Sequence, residues 1–235
     1  MLQSVCSGVR RKYCRMGDRV MKVVEIFESI DGEGIRAGYP VTFIRLYGCN
    51  LNCSYCDSRY ACDDGSWTER SIDSICEEVE LFGHKYVTLT GGEPLIHDDV
   101  RFLIDELRKS YQVNIETNGS VDVEPWNTKK NVLLTVDYKC PSSGMEQAME
   151  LDNFSKLRKT DVIKFVVGSE TDLDAAKKLI IDYNLQDKVN IFFSPVFGEI
   201  EPREIVEYVL KNHMDYARVQ LQLHKFIWEP NMRGV

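Results

Sequence analysis

Three cysteines fall within one short stretch of this sequence, Cys49, Cys53 and Cys56 in CNLNCSYC, at the spacing C-x3-C-x2-C. Thiolates gathered on one loop are metal ligands by type. A structural zinc site takes four protein ligands, commonly as paired CxxC units or with histidines at fixed spacing, and neither pattern occurs here. Sulfur ligands also suit iron-sulfur clusters, and a cubane held by only three cysteines leaves its fourth iron open to a small molecule. The plainer reading, three thiols that simply pack as buried apolar side chains, stays open at this point. Directly after Cys56 come Asp57 and Ser58, oxygen-bearing side chains suited to a hard cation such as magnesium, or equally to a helix cap.

Other residues with chemical potential recur at similar places. SIDGEG at residues 29–34 holds Glu33 between Gly32 and Gly34, which would let the backbone approach a ligand closely, although a plain turn uses the same residues. Arg45 lies inside the apolar run VTFIRL at residues 41–46, where an unpaired guanidinium is costly, so it needs a carboxylate from the protein or from a ligand. GGEP at residues 91–94 follows a strand-like run and adds the charge of Glu93 to two glycines that expose backbone groups. ETNG at 116–119 closes another strand-like run, and His224 stands alone near the C-terminus, where a satisfied core histidine is the ordinary outcome.

The elements that must position these residues alternate in type. Strands are expected at 23–27, 41–46, 86–90, 113–116, 132–136, 163–167 and 189–193. Helical spacing follows Ser71 through Ile72, Ile75, Cys76, Val79 and Phe82, and recurs through Val100, Leu103, Ile104 and Leu107, over 173–183 and over 203–212. Alternating β and α elements imply right-handed crossovers and a parallel α/β sheet, either an open barrel or a doubly wound sheet. The cysteine loop would then hang from the carboxyl end of a strand, the active-site end in parallel barrels. Residues 139–160 show no clear strand, so at least one crossover is irregular or shortened.

At 235 residues, one domain with a core large enough to enclose a ligand is the default. Hydrophobic content of 43% and charged content of 28% are those of a soluble globular chain, and no apolar run reaches membrane-span length. A net charge of -8 argues against a wide phosphate-binding face and so against direct nucleic-acid binding. The five remaining cysteines form no further close pair and no secretory signal is evident, which predicts a reducing cytoplasm. Residues 1–20, with Arg10, Arg11, Lys12, Arg15 and Arg19, read as a disordered extension ahead of a domain at 21–235, in preference to a basic arm for an acidic partner.

The cysteine loop with GGEP at the next strand resembles the radical S-adenosylmethionine superfamily. SIDGEG, the Arg45 strand, CNLNCSYCDS, TGGEP, ETNG and the closing QLQLHKFIWEPNMRGV together resemble the 7-carboxy-7-deazaguanine synthase family, over about Val23 to the last residue. The resemblance implies a partial, open and abbreviated parallel β/α barrel. It also implies a carbon-nitrogen lyase that contracts the ring of 6-carboxy-5,6,7,8-tetrahydropterin with release of ammonia, on the route to queuosine and related deazapurines. Cys49, Cys53 and Cys56 would hold a 4Fe-4S cluster, and Ser58 would give its hydroxyl to magnesium. Ile30, Asp31, Gly32, Arg45 and Thr90 would bind the pterin, with Glu33, Glu116 and His224 as the catalytic set. S-adenosylmethionine would lie along Tyr55, Cys56, Asp57, Gly92, Asp137, Tyr138, Lys139, Ser194, Pro195, Val196 and Phe197. A flavodoxin- or ferredoxin-type reductant and a homodimer complete the expectation. Asp31 stands where the family has glutamine, and Asp137-Tyr138 replaces a Ser-Pro pair, so those roles rest on position alone. A glycyl-radical activating enzyme shares the cluster loop but needs a groove for a protein, whereas Arg45, Glu116 and Ser58 imply a small polar ligand. An iron-sulfur electron carrier normally uses four protein ligands and has no need of GGEP.

Overall fold

One sheet frames the molecule, and its two faces are chemically opposite. In the computed structural model, which describes residues 19–62 and 65–235, nine strands run in the order β3-β1-β2-β4-β5-β6-β7-β8-β9. These are β1 Val20–Ile30, β2 Pro40–Leu46, β3 Thr68–Ser71, β4 Tyr86–Gly91, β5 Gln112–Thr117, β6 Val132–Tyr138, β7 Val162–Val167, β8 Asn190–Pro195 and β9 Ala217–Val219. From β2 to β9 every pairing is parallel, while β1 is antiparallel to both β2 and β3. The parallel strands follow chain order without reversal, so the sheet has no topological switch point and is the open barrel, not the doubly wound alternative.

Helices α1 Ile72–Phe82, α2 Val100–Leu107, α3 Glu124–Asn127, α4 Asp152–Lys156, α5 Glu170–Asp182 and α6 Pro202–Lys211 supply the crossovers, and α7 His224–Ile227 follows β9. Ser71 caps α1 by accepting from the Ser74 amide, and Gly83 ends it in the left-handed conformation. The crossover from β6 to β7 is irregular, two 3-10 turns and the five residues of α4. Strands β3 and β9 were not expected, because four and three residues carry too little alternation to register.

Alternation along the strands sorts the side chains. Ile44, Leu46, Val87, Leu89, Val113, Ile115, Leu134, Val136, Ile163, Phe165, Ile191 and Phe193 all join one buried apolar core. Their neighbours on the opposite face are Arg45, Thr88, Thr90, Asn114, Glu116, Thr135, Asp137, Lys164 and Ser194. A period of two along each strand makes the inner face of the barrel polar and the outer one dry. Register then sets Arg45 beside Thr90 and Asp137 beside Lys164.

Because β1 is antiparallel, Ile30 ends opposite Pro40, at the amino end of the parallel strands. Residues 31–39 therefore enter the barrel from below. Arg36, only 8% exposed, donates to Asp31 (2.7 Å), to Thr88 Oγ1 (2.6 Å) and to the carbonyls of Gln112 (3.1 Å) and Val87 (3.4 Å). Asp31 also accepts from Thr88 Oγ1 at 2.8 Å and is 3% exposed. This pair plugs the floor of the barrel. Across the opening, Gly34 N donates to Gln220 Oε1 at 2.6 Å and Leu223 N to the Gly32 carbonyl at 3.2 Å, so the loop ties the first strands to the last segment.

The basic N-terminal tract lies outside the described residues up to residue 18. Val20 pairs with Ser71 at the start of β1. Removing one partner of a buried ion pair leaves an uncompensated charge, so Arg36→Met should cost about 3 to 5 kcal/mol in denaturant unfolding. Adding Asp31→Asn should recover a large part of that loss, and additive losses in the double variant would show that the pair is not coupled.

Candidate active site

The carboxyl ends of the parallel strands open into a cavity of about 550 Å³, lined by residues from every strand between β1 and β7 except β3 and by the chain after β8. Its size is that of an ordinary small-molecule site. The cysteine loop leaves β2 at Leu46 and is held backbone to backbone against the loop after β4: Gly92 N donates to the Leu46 carbonyl (3.1 Å) and Glu93 N to the Gly48 carbonyl (2.8 Å). A β-carbon on Gly92 would stand 2.2 Å from Gly48 O and 2.9 Å from Cys49 Cβ, so only glycine permits this approach.

Glu93 does not offer its charge to the cavity, contrary to the simplest reading of GGEP. It is fully buried, with Oε1 accepting from Leu95 N and Thr117 Oγ1 (both 2.9 Å) and Oε2 from Asn118 N (2.6 Å). Burial pushes its carboxyl up to about 7 against the pull of these donors. Its work is to clamp GGEP onto ETNG, and Asn118 Nδ2 in turn donates to Asn50 Oδ1 (3.0 Å) and Cys49 Sγ (3.7 Å).

Cys53 and Cys56 line the cavity, and Cys49 stands beside them against Asn118, also receiving the Leu51 amide at 3.4 Å. Three half-buried thiols around one space, with N–H groups aimed at sulfur, fit a cluster ligated by three cysteines. Among the described residues no set of His, Cys, Asp or Glu is gathered tightly enough for a single metal ion. Cys62, one of the five cysteines with no close pair in the sequence, lies beside this group in the fold. Its buried thiol donates to the Ser58 carbonyl at 3.7 Å and lies beside Cys49 and Cys56, a proximity that lowers both to about 6 and pushes Cys62 itself up. Tyr55 reaches across to donate to the Val166 carbonyl at 3.2 Å, and Ser54 Oγ to that of Ser142 at 2.6 Å, so the loop is anchored at both sides.

Most of the expected site residues meet in this space. Ile30, Gly32, Glu33, Arg45, Tyr55, Cys56, Asp57, Ser58, Thr90, Gly92, Glu116, Asp137, Lys139, Val196, Phe197 and His224 all line the cavity. Arg45 donates to Glu25 Oε1 at 2.7 Å, and the Tyr60 hydroxyl donates to the same oxygen at 2.9 Å, so the carboxylate it required is on β1. Burial raises the Glu116 carboxyl, with the Lys164 ammonium opposing, and among the described residues no donor reaches its oxygens. Burial also lowers His224, against the opposing pull of Glu33 and Asp57. A β-carbon on Gly32 would fall 2.5 Å from His224 Nδ1, so that glycine makes room for the ring. The Ser58 hydroxyl donates to Asp57 Oδ1 at 3.0 Å.

Four of the expected site residues, Asp31, Tyr138, Ser194 and Pro195, do not line the cavity. Asp31 is spent on Arg36 and Thr88 beneath the cavity. Tyr138 turns outward between Phe154 and Phe165, its hydroxyl donating to Glu146 at 2.6 Å, because alternation sends it to the face opposite Asp137. Ser194 and Pro195 are buried; Ser194 acts through Glu33, to which its hydroxyl donates at 2.6 Å, and does not line the cavity itself. Residues missed in the sequence include Glu25, Tyr60, Lys164, Glu199, Gln222 and Lys225, together with Pro230, Asn231, Met232, Gly234 and Val235 of the final segment. Lys164 was findable, since it is a lone cation in the apolar run VIKFVV and invites the same question as Arg45.

Glu93→Gln preserves volume but turns an amide toward a backbone N–H. It should lose about 1.5 to 3 kcal/mol of stability in denaturant titration and lower the iron retained by reconstituted protein. A change below about 0.5 kcal/mol would show that Glu93 is not the clamp between the two loops.

Comparison with known proteins agrees with this geometry. A profile of the Radical SAM superfamily matches residues 43–131. The 7-carboxy-7-deazaguanine synthase of Clostridium acetobutylicum is 47% identical over 218 residues, covering 91% of this chain and 99% of that protein. The enzyme of the same name from Methanospirillum hungatei JF-1 is 42% identical over 212 residues, covering 89% and 86%. The crystal structure of QueE from Escherichia coli superposes with a TM-score of 0.69 at 23% identity, covering 88% of this chain and 96% of that one, which establishes the shared fold. The chain belongs to the 7-carboxy-7-deazaguanine synthase family of radical S-adenosylmethionine enzymes, which work with a 4Fe-4S cluster and S-adenosylmethionine.

Proposed function

We propose that this chain converts 6-carboxy-5,6,7,8-tetrahydropterin to 7-carboxy-7-deazaguanine with loss of ammonia, on the route to queuosine and related deazapurines. The observation that carries the reading is a single cavity in which two cysteines of the cluster loop face Arg45, Thr90, Glu116, Glu33 and His224. Those polar groups suit a small, flat, hydrogen-bonding molecule with a carboxylate. When bound, the cluster and S-adenosylmethionine supply reversible hydrogen-atom abstraction.

The residues of the chain do the orienting. Arg45, its charge partly met by Glu25, keeps donor capacity for an acidic or carbonyl group, and Thr90 stands beside it in register. Glu116 and Glu33 accept N–H groups of the pterin, and His224 can hold or pass a proton at Nδ1 or Nε2. Gly92, Tyr55, Asp57, Lys139 and the 196–197 segment surround the cofactor side of the same space. Ser58, with Asp57, offers oxygen to a magnesium ion that neutralises the substrate carboxylate. Asn50, Asn52 and Ser54 leave the outer side of the cluster loop exposed, which suits the approach of a flavodoxin- or ferredoxin-type reductant. Family membership supports a homodimer working in the cytoplasm, and no described helix is long and apolar enough to cross a membrane.

Reconstituted protein given dithionite, S-adenosylmethionine, magnesium and carboxytetrahydropterin should form 7-carboxy-7-deazaguanine, read by mass spectrometry, with one 4Fe-4S cluster per chain. Cleavage of S-adenosylmethionine with no ring contraction under these conditions would remove the assignment. Arg45→Ala, Glu116→Ala and His224→Ala should each lower kcat/KM by about thirtyfold or more while uncoupled cleavage survives. Equal loss of both activities would move these residues to the cofactor. Ser58→Ala should raise the magnesium needed for half-maximal turnover, and an unchanged titration would take Ser58 out of the ion site.

A further inference from the structure

We infer that Lys164 is a positioning residue that joins the substrate side of the cavity to the cofactor side, by holding Glu33 and Asp137 with one ammonium. The inference rests on the pterin reading above. Lys164 Nζ donates to Glu33 Oε2 at 3.2 Å and stands 3.4 Å from Asp137 Oδ1. The three side chains are 11%, 8% and 17% exposed, so none is a solvated surface ion. Glu33 Oε1 accepts from Ser194 Oγ (2.6 Å), Gln222 Nε2 donates to the same Oε2 as Lys164 (3.3 Å), and Asp137 Oδ2 accepts from Lys139 Nζ (2.6 Å). A continuous chain of contacts therefore runs from the closing segment through Glu33, Lys164 and Asp137 to Lys139.

The same ammonium faces Glu116 from β5, with Asp57 from the cluster loop and His224 from α7 in its field, and Lys139 opposing it from the segment directly after β6. Asp31 and Glu33 add negative charge toward Glu116. Without Lys164, three poorly exposed carboxylates, Glu33, Glu116 and Asp137, would be left with Lys139 beside Asp137 and Arg45 facing Glu116 from β2, itself already paired with Glu25. Like charges confined in a poorly solvated space cannot all stay ionised, so one would take up a proton and stop accepting hydrogen bonds. Lys164 thus keeps two acids on the substrate side available as acceptors and fixes Glu33 relative to Asp137. Arginine at the position would keep the charge, whereas methionine would keep much of the volume alone.

The test uses cluster-loaded full-length protein as wild type, Lys164→Met, Lys164→Arg and the double variant Lys164→Met with Glu33→Gln. Infrared difference spectra across pH count protonated carboxyl groups without reference to any substrate. In Lys164→Met the acid titration should move up by about one pH unit or more. The double variant, with one carboxylate fewer, should move part of the way back and serves if the single variant folds poorly. With carboxytetrahydropterin, the acid limb of kcat/KM should move in the same direction and its value at neutral pH should fall about thirtyfold or more, with Lys164→Arg retaining most activity. An infrared titration and pH profile in Lys164→Met that match wild type would overturn the role of Lys164, while wild-type turnover would leave the proposed function standing. If wild type fails to turn over the pterin, the proposed function falls, and the infrared titration by itself still upholds or overturns the electrostatic role of Lys164.

Discussion

A charge placed on the inner face of a barrel has to find its counter-charge there. This constraint shapes the whole interior, because seven parallel strands present their dry face to the helices and their polar face to one another. Arg36 meets Asp31 at the floor, Arg45 meets Glu25 at one wall, and Lys164 meets Glu33 and Asp137 at the other. Each pair is poorly solvated, so its partners gain little by separating and lose much if one is removed. Glu116 has no such partner hydrogen-bonded to it among the described residues, although the Lys164 ammonium opposes its burial.

The cluster loop depends on a second constraint, close backbone approach. Gly91 and Gly92 let the ends of β2 and β4 come together, and Glu93 then spends a buried carboxylate on fastening the next strand end. Three loops from β2, β4 and β5 thereby become one rigid shelf. Asn118, at the far end of that shelf, returns a hydrogen bond to Cys49, so the position of a ligand thiol depends on an element far from it in sequence. Such outer contacts orient ligands and tune what they hold.

Openness of the sheet has its own consequence. A closed barrel would fill its interior with side chains, whereas here residues 31–39 fill the lower half and the upper half remains a cavity. Gly32 and His224 meet across this boundary, and the last residues of the chain cover the side that the sheet leaves open.

The sequence by itself determined the order of seven of the nine strands and of the four longer helices, the cysteine loop at a strand end, and the need for a carboxylate near Arg45. These follow from local pattern: period two, period 3.6, ligand type and spacing. Even the polar inner face was legible in principle, as alternation in runs such as YVTLT and VIKFVV. Only the tertiary structure decided which polar residue faces ligand and which faces protein. Asp31 and Glu33 are two residues apart, yet one plugs the floor and the other reaches Lys164, because the loop turns between them. Tyr138 and Asp137 are adjacent and point to opposite faces. Cys62 meets Cys49 and Cys56, and Lys164 meets Glu33, across separations that no local pattern encodes. Burial and counter-charge belong to the folded assembly of strands, and so does the assignment of each acid to structure or to chemistry.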